Sequence, residues 1–243
     1  MASDSDASLL VAWQLKNKHV LVVGGGDVAS GRIHHVLVAG AKITVVAPQD
    51  GLHPVTKWHI DTTPDRITYY DRVFTPGDLD GKDFVLTAID DVDVSRDIAS
   101  RCRTLRLPVN VADDPPSCDF FFGSQIRKGP LQILISTNGR GPKLANIIRR
   151  RIEESIPSHA GEAIERVGTL RERLKVRAPG VGGEVGRRRM KWMADLCTAW
   201  EMEELASLTD EQMDRMLAEG WERDVVLSPQ DLGVQPAAHS DSD

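Results

Sequence analysis

Residues 19–47 read His19-Val-Leu-Val-Val23-Gly-Gly-Gly-Asp27-Val-Ala29, then a helical run to Gly40, then Lys42-Ile-Thr-Val-Val-Ala47. Val20 to Val23 is a short, wholly apolar run of the kind buried on both faces of a parallel sheet. Gly24, Gly26 and Ala29 fit the pattern G-x-G-x-x-A. The first small residue permits a tight turn. The second lets a diphosphate approach the backbone, and the third lets helix and strand pack closely. A helix opening near Asp27 turns its free N–H groups and positive dipole end towards a bound anion. A glycine pattern alone is weak, but this one follows a strand, opens a helix and is followed by a second strand at the right distance. The alternative is a tight strand–helix turn with no ligand. The second strand ends Val45-Val46-Ala47-Pro48-Gln49, with no acid to hold a ribose 2′-hydroxyl. That leaves NAD and NADP open. The lack of an Arg at that strand end inclines the reading to NAD.

Working outward, 243 residues hold one large domain or two small ones with ample core. A net charge of −6 gives no basic character that would suggest nucleic acid. No apolar run is long enough to span a bilayer. The polar, acidic start Met1-Ala-Ser-Asp-Ser-Asp6 is unlike a secretory or mitochondrial leader. Cys102, Cys118 and Cys197 are widely spaced and odd in number, which suggests a reducing compartment and no disulfide framework. They lack the spacing of a structural zinc site. The expectation is a soluble, cytoplasmic protein.

In chain order, residues 1–8 read as disordered, and helix 28–39 ends on a C′ glycine, Gly40. Strands follow at 42–47, 67–74, 84–89 and 108–112, with a helix over 92–105. Strands alternating with helices predict an α/β fold with a parallel sheet and right-handed crossovers. This first domain ends near Pro115-Pro116. In such sheets ligands bind outside the carboxyl ends of the strands. Thr87-Ala88-Ile89-Asp90 lies at one end and Asn110 to Asp114 at another, and the small pair Thr87-Ala88 would let a dinucleotide lie close. Ordinary loop chemistry is the competing explanation. Phe120 to Ile126 and Leu131 to Ser136 read as two strands joined by a short turn. An apolar hairpin with three phenylalanines needs cover, from a second copy or from the later helices.

Ser136-Thr-Asn-Gly-Arg-Gly-Pro142 leads into a helix over 143–156, a second candidate anion site carrying Arg140 and Lys143. Arg149-Arg150-Arg151 is either a solvated face or a site for a polycarboxylate. Helices follow at 162–176, 185–205 and 210–219, with a glycine-rich break at 178–184. Thr209 and Gln212 fit a capping box. Trp192, Met193, Trp200 and Met202 read as helical core, and residues 224–243 as a loose tail.

No nucleophile elbow and no H-E-x-x-H is present. His34, His35, His59 and His159 read as structural or exposed. The groups left for chemistry are carboxylates near the fifth strand: Asp113, Asp114 and Asp119. A carboxylate beside a nicotinamide serves as general base if partly desolvated, and adjacent like charges would raise one pKa. Asp113-Asp114-Pro115 also reads as a plain turn.

Taken together, residues 22–29, Thr87-Ala88 with Asp90-Asp91, Val109-Asn-Val-Ala-Asp113, the hairpin 120–136 and the segment 136–142 resemble, in that order, one family. It is the bifunctional precorrin-2 dehydrogenases and sirohydrochlorin ferrochelatases of siroheme synthesis. The likeness covers roughly residues 10 to 160, and Arg187-Arg-Arg-Met-Lys-Trp192 resembles the helical end of fungal members. The resemblance implies an N-terminal Rossmann-like NAD-binding domain (1–115) and a middle β-hairpin for dimerisation and substrate (116–142). A helical domain (143–223) and the tail (224–243) complete it, without the methyltransferase domain of many bacterial relatives. It implies NAD as hydride acceptor, Fe²⁺ as substrate and no resident metal. Asp113 matches the catalytic aspartate of both steps. Gly24, Gly26, Asp27, Val28, Pro48, Gln49, Thr87 and Ala88 match cofactor positions. Asn110 lies in the matching Asn-x-x-Asp segment, and Ser136 matches a serine of the substrate cleft. Arg127, Lys128, Arg140, Lys143 and Arg149 become clamps for the polycarboxylate tetrapyrrole. A homodimer is implied, with no nucleic acid or membrane partner. Two other readings stay open: a dehydrogenase without chelatase activity, and an NAD(H)-sensing regulatory module.

Overall fold

Val20 to Val23 and Phe84 to Leu86 are apolar at every position, so both faces of their strands must be covered. The computed structural model, which describes residues 8–234, buries them at the centre of a five-stranded parallel sheet. The strands are β1 (His19–Val23), β2 (Lys42–Val46), β3 (Ile67–Tyr70), β4 (Phe84–Thr87) and β5 (Val109–Val111). Their order is β3-β2-β1-β4-β5, with Val22 opposite Val45 on one side and Leu86 on the other. The chain therefore leaves β1 to one side and returns to the other, which opens a crevice at the carboxyl ends of β1 and β4. Side chains alternate across the sheet with period two. Val20 and Val22 join Ile33 and Val36 of α1 (Asp27–Val38). Leu21 and Val23 join Ile98, Ala99 and Cys102 of α3 (Val92–Leu105).

The local signals worked as expected at both helices. Gly40 stands past the end of α1 at φ +85° and donates to the Leu37 carbonyl at 3.0 Å. Asp91 caps α3 by accepting from the Val94 N–H at 3.0 Å. Helix α2 (Pro54–Thr62) was not expected. Its buried residues are Thr56 and His59, so it shows no apolar stripe in the sequence. Strand β3 stops at Tyr70, short of the expected Phe74.

This first unit runs to Phe122 and takes in residues 138–140, beyond the expected boundary at Pro115-Pro116. After β5 the chain folds back along the strand. The Asp119 N–H donates to the Val109 carbonyl at 2.9 Å, and Val109 N–H donates to the Asp119 carboxylate at 2.9 Å. Phe120 then packs 4.5 Å from Phe84, and Phe122 stacks on His35 at 5.7 Å. Phe120 and Phe122 thus pack on the sheet's core and not on the hairpin, whereas Phe121 is exposed. This corrects the expected strand from Phe120.

In the second unit the hairpin is β6 (Ser124–Lys128) and β7 (Leu131–Ile135), joined by Gly129, at φ +55°, and Pro130. The helices are α4 (Pro142–Ser155), α5 (Ala160–Arg177), α6 (Gly183–Ala199), α7 (Met202–Ala206) and α8 (Asp210–Arg215). The expected helix 185–205 breaks at Trp200-Glu201, where Glu201 N–H donates to the Glu204 carboxylate at 2.9 Å and restarts the chain as α7. Trp192, Met193 and Trp200 are core, as expected, but Met202 is exposed.

Residues 224–234 are not a loose tail. The buried indole N–H groups of Trp192 and Trp200 donate to the carbonyls of Val225 (2.8 Å) and Leu227 (2.9 Å), and Leu232 joins the helical core. A buried indole needs an acceptor, and this segment supplies two. Residues 235–243, and 1–7 at the other end, lie outside the described residues. Leu232→Ala is expected to lower stability by about 2–5 kcal/mol, as for other buried leucines. Denaturant unfolding checks this, and an unmoved midpoint would return the segment to a tail.

Candidate functional site

The loop after β1 is shaped by three glycines with different constraints. Gly24 has φ +110°, and a Cβ there would stand 2.1 Å from the Ala88 carbonyl oxygen. Only glycine lets the loop pass that close to the end of β4. A Cβ on Gly25 would meet Leu52 at 2.4 Å, whereas one on Gly26 would meet nothing within 4 Å. Gly26 is the N-cap of α1 and offers no side-chain cap, so the first N–H groups of the helix face open space. Behind them Ala29 is fully buried, and in front Val28 is half exposed. The Asp27 carboxylate points to solvent, 3.8 Å from His53. A free helix start, an open position at Gly26 and an exposed apolar side chain fit a dinucleotide diphosphate.

Pro48 and Gln49 follow β2 and are exposed. Gln49 N–H donates to the Asp71 carboxylate at 2.8 Å, and the Tyr69 hydroxyl donates to the Ala47 carbonyl at 2.9 Å. Burial first, then the negative fields of Asp71 and Asp50, push the Tyr69 phenol up. The acids missing from the strand end in sequence are therefore present in space, supplied by the next turn and by the end of β3.

The carboxyl ends of β4 and β5 bring together Thr87, Ala88, Asn110 and Asp113. Thr87 Oγ1 and Asn110 Oδ1 are buried with no hydrogen-bond partner. Such orphans cost about 1–3 kcal/mol each, which a polar ligand group would recover. The Asn110 amide itself is held by the Phe120 carbonyl at 2.7 Å. Arg32 of α1 donates to the Thr87 carbonyl at 2.9 Å and reaches that of Asn110 at 3.4 Å. Sequence reasoning missed Arg32, because an Arg inside a helix carries no signal that it will turn towards strand ends.

The three aspartates separate by environment. Asp114 accepts from Arg96 at 2.9 Å and Ser117 at 2.8 Å, and these bonds hold its carboxyl below the usual carboxylate range. Asp119 is spent on the Val109 N–H. Asp113 makes no hydrogen bond or ion pair with a described residue, is exposed, and sits at φ +57°. That left-handed conformation is uncommon outside glycine. The neighbour Cys118 is a thiol pushed up mainly by burial, with its Sγ 3.1 Å from the Val111 carbonyl.

The remaining candidates fall in both units. Arg140 is exposed in the first unit. Ser136, after β7, and Lys143, in the first turn of α4, are exposed in the second. Three expected clamps are engaged within that unit. Lys128 donates to the carbonyls of Glu153 and Ile156 and so closes the end of α4. Arg149 pairs with Glu153 one turn on. Arg127 bonds Gln125 at 3.3 Å. Among the described residues no group of three His, Cys, Asp or Glu side chains could hold a metal ion, and no helix is long and apolar enough to cross a membrane.

Comparison with known proteins places these features in one lineage. An NAD(P)-binding family model matches residues 11–124, the sirohaem biosynthesis protein central model matches 128–155, and the C-terminal model of the same protein matches 157–227. The Siroheme biosynthesis protein met8 of Schizosaccharomyces pombe is 48% identical over 211 residues, 86% of this chain and 78% of that protein. Siroheme synthase 2 of Aeromonas hydrophila is 34% identical over 211 residues, 87% of this chain and 42% of that one. The chain thus spans less than half the length of this bacterial relative. The solved structure of SirC, precorrin-2 dehydrogenase, has the same fold. Its TM-score is 0.69 at 22% identity, over 89% of this chain and 100% of that one. The chain belongs to the sirohaem biosynthesis protein family.

Proposed function

We propose that the chain oxidises precorrin-2 to sirohydrochlorin with NAD and then inserts Fe²⁺ to give siroheme, with Asp113 as the proton acceptor in both steps. The observation that carries this reading is the state of Asp113. It is the carboxylate after β5 that no hydrogen bond or ion pair occupies, and it lies on the same strand ends as Thr87, Asn110 and the glycine loop. The names of its relatives, siroheme biosynthesis protein and siroheme synthase, agree with it.

Gly24, Gly26, Asp27 and Val28 would hold the diphosphate, and Pro48, Gln49, Thr87 and Ala88 the rest of the dinucleotide. Bound there, NAD supplies the hydride acceptor. Loss of hydride from the tetrapyrrole leaves a cation that must also lose a proton, and Asp113 takes it as general base. In the second step, after Asp113 has passed its first proton to water, Fe²⁺ replaces two pyrrole N–H protons; the same carboxylate accepts one and water takes the other. Asn110, Ser136, Arg140 and Lys143 remain the substrate-binding candidates. Asp50 and Asp71 beside the end of β2 would repel a 2′-phosphate, which supports NAD over NADP.

A homodimer suits the second unit. Leu134 of β7 and Leu144, Ile147 and Ile148 of α4 are large, apolar and exposed. The free thiols Cys102, Cys118 and Cys197 suit a cytoplasmic enzyme.

Four outcomes are expected. Gly26→Ala keeps the unfolding midpoint, since its Cβ meets nothing in the protein, yet weakens NAD binding tenfold or more, roughly the loss of one hydrogen-bonded diphosphate contact. Gly24→Ala instead loses stability, through the clash with Ala88. Calorimetry of NAD binding beside thermal melts separates the two. Asp113→Asn abolishes NADH formation from precorrin-2 while NAD still binds, and retained turnover would remove Asp113 as the base. Incubating the pure chain with sirohydrochlorin and Fe²⁺, without NAD, gives the siroheme absorption spectrum. No change in spectrum would leave a dehydrogenase alone.

A further inference from the structure

Arg32 has no task in the chemistry above. Its guanidinium lies across the carboxyl ends of β4 and β5, with Nη1 on the carbonyls of Thr87 (2.9 Å) and Asn110 (3.4 Å). The guanidinium carbon stands 5.6 Å from the Phe122 ring centroid. Burial pulls its pKa below that of an ordinary Arg, while the negative field of Asp113 acts the other way. Two other arginines around the sheet have a carboxylate partner: Arg72 has Asp78 and Arg96 has Asp114. Arg32 forms no ion pair with a described residue. A cation drawn out of water without a counter-ion is unfavourable, and the protein keeps it at the edge where ligands enter this topology.

Capping two strand carbonyls uses one nitrogen of three. Nε and Nη2 make no hydrogen bond to a described residue, and neither is sealed from solvent. Guanidinium geometry allows one edge to hold the strands while the other meets a carboxylate side-on, which an ammonium cannot do.

We propose that Arg32 is a carboxylate-binding residue of the substrate site, its free N–H edge taking one acid side chain of the macrocycle and so seating the ring at the ends of β4 and β5, next to Asp113. This rests on the reading that the site takes an acidic tetrapyrrole. Phe122 behind the guanidinium excludes water from one side and strengthens the pairing. Asp113, after β5, forms no ion pair with Arg32 and stays free to take a proton.

The test is direct binding of sirohydrochlorin, followed by its visible absorption, to the wild-type chain, Arg32→Gln and Arg32→Lys. Arg32→Gln keeps a donor for the Thr87 carbonyl but removes the charge. It is expected to weaken sirohydrochlorin binding roughly 10- to 100-fold, the range of a charge-assisted hydrogen bond, with NAD affinity within twofold of wild type. Arg32→Lys recovers only part of the loss. The KM for precorrin-2 rises in step, with a smaller change in kcat. Unchanged sirohydrochlorin binding overturns the proposal, and a lowered unfolding midpoint beside it assigns Arg32 to strand capping alone. Weaker NAD binding with unmoved sirohydrochlorin affinity also overturns it, in favour of a dinucleotide contact. If Arg32→Gln does not fold, Arg32→Lys is read by the same two affinities. Should the wild type bind sirohydrochlorin yet fail to oxidise precorrin-2, the proposed reaction fails while the Arg32 comparison still stands.

Discussion

The approach of Gly24 to the Ala88 carbonyl is the contact on which the first unit turns. A Cβ at Gly24 would overlap that oxygen at 2.1 Å, so the loop after β1 and the end of β4 touch backbone to backbone. Everything that makes the crevice follows. The Gly24 N–H donates to Val46 on one side, and Ala88 N–H donates to Val23 on the other. The loop is thereby tied across three strands before it enters α1. The helix start then opens at Gly26, uncapped, beside the small residues Thr87 and Ala88. A side chain at the first position would part β1 from β4 and remove the surface on which a flat cofactor can rest.

Around that crevice, charge is sorted by what each group is already bound to. Asp114 and Asp119 are consumed by Arg96, Ser117 and the backbone of Val109, and they build the return of the chain after β5. Asp113 is left over, on a left-handed residue just before both of them. Arg32 is left over in the same sense, held by carbonyls and not by a carboxylate. An unoccupied acid and an unpaired cation at the same strand ends are what a reaction on an acidic substrate requires: one group to move a proton and another to fix an anion.

The second unit is organised by its tryptophans. Trp192 and Trp221 meet edge to face at 6.0 Å, Arg188 lies 4.0 Å over the Trp221 ring, and the indole N–H groups of Trp192 and Trp200 draw in residues 225–227. Large rings with one polar atom bury well only when that atom finds an acceptor. The last described segment is ordered for that reason, although its proline, glycine and polar residues read as loop.

Local pattern was enough for much of this protein. The valine-rich β1, the G-x-G-x-x-A loop, Gly40 past α1, the five-stranded parallel sheet and the tryptophan core of the C-terminal helices were legible because each depends on residues near one another in the chain. The order of motifs carried the family. Other features came only from tertiary structure, because they depend on residues far apart in sequence. Helix α2 buries polar groups against α1 and has no stripe of its own. Phe120 and Phe122, after β5, go to the sheet, not to the hairpin they precede. Asp50 and Asp71 stand where β2 itself offers no acid. Above all, three aspartates of identical chemistry, Asp113, Asp114 and Asp119, became one free group and two structural ones. Sequence names the carboxylates, but only the folded chain decides which of them its own donors have already taken.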